Sequence, residues 1–143
     1  MNFLQDETFC YILGLMWADG FVIEKKYTAQ LTISSKDFKN IDEIFSKSKI
    51  KYSISHRERF LKKTGKYYKS STIYILDKEF RKFLVENFYA EKSNSSPELI
   101  LNEMPIENKK HFLRGYIDGD GSFSIYNNEK TVKFNVTSSL EQN

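Results

Sequence analysis

The sequence predicts an α+β protein: one complete α-β-β-α-β-β-α unit, followed by the opening helix and hairpin of a second. Three observations carry this. Apolar residues switch repeatedly between helical and strand periodicity within 143 residues, room for one ordinary domain. The segment Tyr11–Gly20 has a near-echo at Phe112–Gly121. After each copy the period changes to two, so the second copy restarts the pattern of the first.

The elements follow in order. Asp6 is placed to cap the first helix. Phe9 to Ala18 carries no charge, so this helix expects burial on most sides, and it is far too short to span a bilayer. Phe21 and Ile23 then alternate with Val22 and Glu24, and Ala29, Leu31 and Ile33 with Thr28, Gln30, Thr32 and Ser34. That is a half-buried hairpin turning near Lys25-Lys26. Ser34 with Asp37 reads as a capping box for a helix to about Ser48, its stripe being Phe38, Ile41 and Phe45. A second, basic hairpin spans about Ile50 to Leu76 and turns at Thr64-Gly65. Ile50, Tyr52, Ile54, Ile73 and Ile75 are expected inward, and Lys51, Ser53, Ser55, Arg57, Arg59, Lys66, Tyr68, Ser70 and Thr72 outward. Asp77 caps a third helix with a stripe of Phe80, Phe83, Leu84 and Phe88. Residues 90–96 read as a polar loop, and Ser96-Pro97 starts a short helix with Pro at its first position. Pro105 precedes the second copy of the repeated segment. Phe123 and Ile125, returning as Val132, Phe134 and Val136, form a third hairpin. Val136-Thr137-Ser138 aligns with Ile33-Ser34-Ser35. Residues 1–104 thus read as a first, complete repeat and 105–143 as the start of a second, as expected of a truncated two-copy protein.

The repeat itself carries chemistry. In each copy a small residue follows the first glycine by four: Gly14 to Ala18, and Gly115 to Gly119. Residues four apart share a helix face, so two such helices can bring their backbones unusually close. Each helix then ends in an Asp-Gly pair, Asp19-Gly20 and Asp120-Gly121, with glycine suited to a left-handed cap. A carboxylate at a helix C-terminus meets the negative end of the dipole at a cost of ~0.3–1 kcal/mol. Side-by-side packing adds repulsion between the two carboxylates. A divalent cation offsets both costs, and few protein oxygens suit Mg²⁺ best.

Other chemistries are narrowed. Cys10 is the single cysteine, so there is no internal disulfide, and His56 and His111 lack zinc-spaced partners. A calcium loop starting at Asp118 would need glycine where Phe123 stands. No signal peptide, transit peptide or membrane segment is expected, which suits an intracellular chain without a membrane partner. The net charge is only +3, yet residues 47–69 hold nine Lys or Arg against one Glu. These bases alternate with Ser and Thr on one strand face, an arrangement suited to a β-ribbon contacting phosphates and base edges.

The motif pair resembles that of the LAGLIDADG homing endonucleases. Residue by residue, the nine-letter motif falls on Ile12–Gly20 and Leu113–Gly121. Trp17 departs from the motif's first Asp, which Asp118 keeps. The resemblance implies an antiparallel DNA-binding sheet, with Asp19 and Asp120 as catalytic, metal-binding acids at the ends of the motif helices. Gly20 and Gly121 would serve as backbone ligands or caps, and Gly14, Ala18, Gly115 and Gly119 would form the helix interface. It further implies Lys92 as a supporting base near the attacking water, with Ser35 a weaker polar candidate. The expected activity is Mg²⁺-dependent cleavage of a long double-stranded DNA site, serving intron or intein mobility. Gln30, Thr32, Lys51, Ser53, Ser55, Arg57, Arg59, Lys66, Tyr68, Ser70 and Thr72 would meet the DNA. The alternative is a non-cleaving relative, an intron RNA maturase or an inactive remnant. A C-terminal half or a second chain would complete the fold.

Overall fold

Helix α1 (Glu7–Asp19) is the most buried element of the computed structural model, with Cys10, Ile12, Leu13 and Met16 fully enclosed. The structure describes residues 2–26, 28–34, 37–126 and 131–136, from residue 120 onward as backbone alone. Asp6 starts α1 as expected, its carboxylate accepting from Thr8 N and Phe9 N at 2.8 and 3.1 Å. The chain continues through β1 (Gly20–Ile23), β2 (Thr28–Ser34), α2 (Phe38–Ser48), β3 (Tyr52–Leu61), β4 (Lys66–Ile75), α3 (Lys78–Glu86), α4 (Glu98–Glu103), α5 (Ile106–Asp120), β5 (Gly121–Tyr126) and β6 (Thr131–Val136). The α-β-β-α-β-β-α order is the one expected.

Strands β1 to β4 form one antiparallel sheet in the order β1-β2-β4-β3, while β5 and β6 pair as a separate hairpin. Residues directly opposite in such a ladder share a face. Val22, Ala29, Leu31, Ile33, Ile73 and Ile75 therefore all point inward, and all are buried. Their neighbours in the core are Ile41 and Phe45 of α2, Phe80 and Leu84 of α3, Ile100 of α4 and Phe112 of α5. Phe3 meets the rings of Phe9, Phe80 and Phe83 edge-on at 4.8–5.2 Å, which ties the N-terminus to α3.

The structure corrects several local expectations. Val22, not Phe21 with Ile23, is the inward residue of β1: Gly20 and Val22 face Leu31 and Ala29, which leaves Phe21 55% exposed opposite Gln30. Gly20 is extended (φ −75°, ψ 157°), so α1 passes straight into β1 without a left-handed cap. Glycine is needed there because a Cβ would meet Met16 O at 2.6 Å. Ser34 bonds the Asp37 carboxylate at 3.0 Å, and Asp37, itself the N-cap of α2, makes no side-chain cap. Ile54 is 36% exposed although Ile73, opposite it on β4, is fully buried, because β3 is an edge strand of the sheet. Phe88 leaves the α3 stripe: it takes φ 68° after the helix and is 43% exposed. The expected loop at 90–96 is largely a 3-10 helix, Tyr89–Asn94, and Pro97 is the N-cap of α4. Asp77 caps α3 as expected, accepting from Phe80 N at 3.1 Å.

Candidate functional site

Helices α1 and α5 cross with their backbones in contact, and the cause is a reciprocal pair of glycines. A Cβ on Gly14 would fall 2.0 Å from Phe112 O, and one on Gly115 would fall 2.1 Å from Tyr11 O. One turn further on, a Cβ on Gly119 would lie 2.8 Å from Ala18 Cβ and 3.8 Å from Asp19 Cβ. No side chain separates the helices at these points, so they end side by side. Asp19 and Asp120 are their last residues, and Gly20 and Gly121 open the strands that follow. The side chains of Asp120 and Gly121's neighbours, like Ser35, Thr137 and Ser138, lie outside the described residues.

Asp19 is exposed and lines a cavity of about 220 Å³. Asp37, Asp118 and Gly119 also line it, as do Thr32 and Ser34 from β2. Lys92 reaches the same helix end from the 3-10 segment. Its Nζ donates to Met16 O at 3.1 Å and to Gly20 O. A cation there complements the negative end of the α1 dipole. Met16 O also accepts from Gly20 N, so the ammonium is a second donor to a carbonyl of the last helical turn. Tyr89 anchors this segment, donating its hydroxyl to Leu13 O at 2.8 Å and standing edge-on to the Trp17 ring.

A polar link between the motif helices was not foreseen. Tyr11 donates to Asp118 Oδ2 at 2.5 Å, with the Arg114 guanidinium 5.8 Å from the Tyr11 ring centre. Burial, and then the bond to Asp118, pushes the Tyr11 hydroxyl well above its ordinary value, so it remains a donor. The two motif copies differ at both positions: Phe112 stands where the first has Tyr11, and Trp17 where the second has Asp118. That complementary pair of departures was the available signal.

The outer face of the sheet gathers most of the residues singled out from the sequence. The register places Gln30, Thr32, Ser53, Ser55, Arg57, Arg59, Lys66, Tyr68, Ser70 and Thr72 on one face, opposite the core. Arg57, Arg59, Lys66 and Tyr68 are exposed, whereas Thr72 is only 6% exposed beside Thr32. Lys51 precedes β3, its carbonyl accepting from Leu76 N and Asp77 N. Phe21, Ser34 and Tyr74 share this face and were missed because strand order, not local sequence, brings them there. The Gly65 turn (φ 66°) has open space around it.

Among the described residues no group of three or more His, Cys, Asp or Glu is disposed to hold a metal ion, and no helix is long and apolar enough to cross a membrane. No family model and no curated protein matches the chain. Among solved structures the fold matches the homing endonuclease I-WcaI bound to its DNA recognition sequence, at 20% identity and a TM-score of 0.59. The match covers 89% of this chain and 55% of that one, so the chain spans about half the length of the structure it resembles. The architecture is that of one half of a LAGLIDADG endonuclease, αββαββα with a four-stranded antiparallel sheet.

Proposed function

We propose that the chain belongs to the LAGLIDADG homing endonucleases and acts in metal-dependent hydrolysis of phosphodiester bonds at a specific double-stranded DNA site. One observation carries this reading. The closely packed glycines bring the ends of α1 and α5 together, and the cavity there joins Asp19 and Asp118 to Thr32 and Ser34 of the outer sheet face. A backbone lying on that face would pass the acidic helix ends. In this reading residues 1–104 are a full repeat and 105–143 the start of a second.

Asp19, exposed at a helix end, is a donor suited to a hard cation that keeps most of its water and phosphate ligands. Asp19 and Asp120 would hold Mg²⁺, which when bound supplies Lewis-acid stabilisation and a more acidic water. The chain's own residues set the geometry. Gly14 and Gly115 fix the separation of the two helix ends. Lys92 holds the α1–β1 junction through Met16 O and Gly20 O, so its charge supports the Asp19 carboxylate from behind the site. The outer-face cations and hydroxyls bind and orient the duplex.

The test uses a plasmid carrying a candidate host sequence with the mobile element removed and its flanks rejoined. Linearisation with Mg²⁺, absent with EDTA and absent in Asp19→Asn, is the expected result. Equal cutting by Asp19→Asn refutes the metal role. A specific gel shift without cutting supports the binding-only alternative instead.

A further inference from the structure

The register sorts the outer face into cross-strand rows of different chemistry. One row is Phe21, Gln30, Tyr74 and Ser53; the next is Thr32, Thr72 and Ser55. Beyond them come Ser34, Ser70 and Arg57, and then Tyr68 with Arg59. The rows differ in reach. In the hydroxyl row Thr32 Oγ1 and Thr72 Oγ1 are 3.1 Å apart and bonded to each other, and Thr72 is buried. Short side chains already paired with one another leave a shallow strip between two strips of longer ones. On one side stand the half-buried Gln30 amide and the exposed Phe21 ring. On the other stand two exposed guanidiniums, two residues apart on β3.

These groups have different preferences in a major groove. An Arg guanidinium pairs with both guanine acceptors, a Gln amide matches the adenine donor and acceptor, and an apolar ring meets the thymine methyl. Ser and Thr hydroxyls accept either partner and discriminate weakly. Same-face neighbours on a strand lie about 6.6–6.8 Å apart. That equals the rise of about two base pairs.

Resting on the reading of this face as a duplex-DNA surface, we propose that the chain reads its target in three consecutive blocks. Gln30 and Phe21 select an A·T pair, the Thr32–Thr72–Ser55 row faces a degenerate step, and Arg57 and Arg59 select two guanines about two base pairs apart. The substrate is therefore a site of uneven stringency, strict at the two ends of the sheet face and permissive between them.

The test is selection of random-sequence duplexes on the full chain in EDTA, which prevents cutting, with sequencing of the retained pool. The expected pool shows two guanine positions two base pairs apart and an adenine position on the far side of an unselected step, each enriched about tenfold. Arg57→Ala and Arg59→Ala should each flatten one guanine position and leave the other. Gln30→Ala should flatten only the adenine. A pool with strong preferences that none of these substitutions alters overturns the base assignment while DNA binding stands. Retention of no duplex, by a chain that circular dichroism shows to be folded, overturns the DNA reading and this inference with it.

Discussion

Gly14→Ala tests the packing that sets the helix ends side by side. The added methyl carbon would sit 2.0 Å from Phe112 O and 2.8 Å from Tyr116 N, both backbone atoms of α5. An ordinary C···O contact is about 3.3–3.6 Å, so the helices must separate by more than an ångström. Neither obstacle can rotate away. Overpacking of this kind costs about 1–3 kcal/mol, and with rigid backbone on the far side the upper end applies. Alanine regains about 1 kcal/mol through its better helix propensity. The net expectation is a loss of about 2 kcal/mol, or a fall in Tm of about 7 °C for a chain of this length. Urea denaturation and thermal melting measure it. Gly115→Ala should behave alike, since Tyr11 O lies 2.1 Å from its Cβ. Gly119→Ala should cost less, because its nearest obstacle is the Ala18 methyl at 2.8 Å. A Gly14→Ala protein as stable as the parent, with an unchanged denaturant slope, would refute the close approach.

Three further outcomes are expected. Tyr11→Phe removes the bond to Asp118, whose exposed carboxylate water then solvates, so the loss should be only about 0.5–1.5 kcal/mol; urea midpoints measure it. Lys92→Met removes the donor to Met16 O and Gly20 O, so amide exchange should become faster first at the α1–β1 junction, a change that a lysine acting only on solvent would not produce. Alkaline pH should unfold the protein. Burial, and then the Asp6 carboxylate, pushes the Cys10 thiol from 9.0 up to about 12. The folded state therefore keeps a proton that the unfolded chain releases. Its contribution is full below pH 9 and is lost as pH climbs toward 12, with Tyr11 and Tyr89, pushed up chiefly by burial, adding to the loss above pH 10. Thermal melts should be level near neutrality and fall above pH 9, and Cys10 should resist thiol reagents until urea is added; a level Tm to pH 11 contradicts this.

Much of the local structure was legible because it depends on near neighbours in the chain. Asp6 and Asp77 cap helices through amides two and three residues away. The alternation of Ala29, Leu31 and Ile33 carries its own face assignment. Errors arose where a neighbour in space decided. Phe21 is more apolar than Gly20, yet pairing with β2 turns Gly20 and Val22 inward. Phe88 continues a helical stripe in sequence, but the chain bends away at its left-handed backbone.

By itself the sequence determined the α+β order, the caps, the two glycine-bearing helices and the concentration of cations on one hairpin, since propensity, period and charge are local properties. Only the tertiary structure decided the strand order β1-β2-β4-β3, which assembles the outer face from the four strands of two separate hairpins and sets its rows. It also decided that Lys92 docks on Met16 O and Gly20 O and that Tyr11 bonds Asp118 across the helix pair. These contacts join residues 72 to 107 positions apart. No periodicity reports such a pairing, because it depends on how far the glycines let two helices approach.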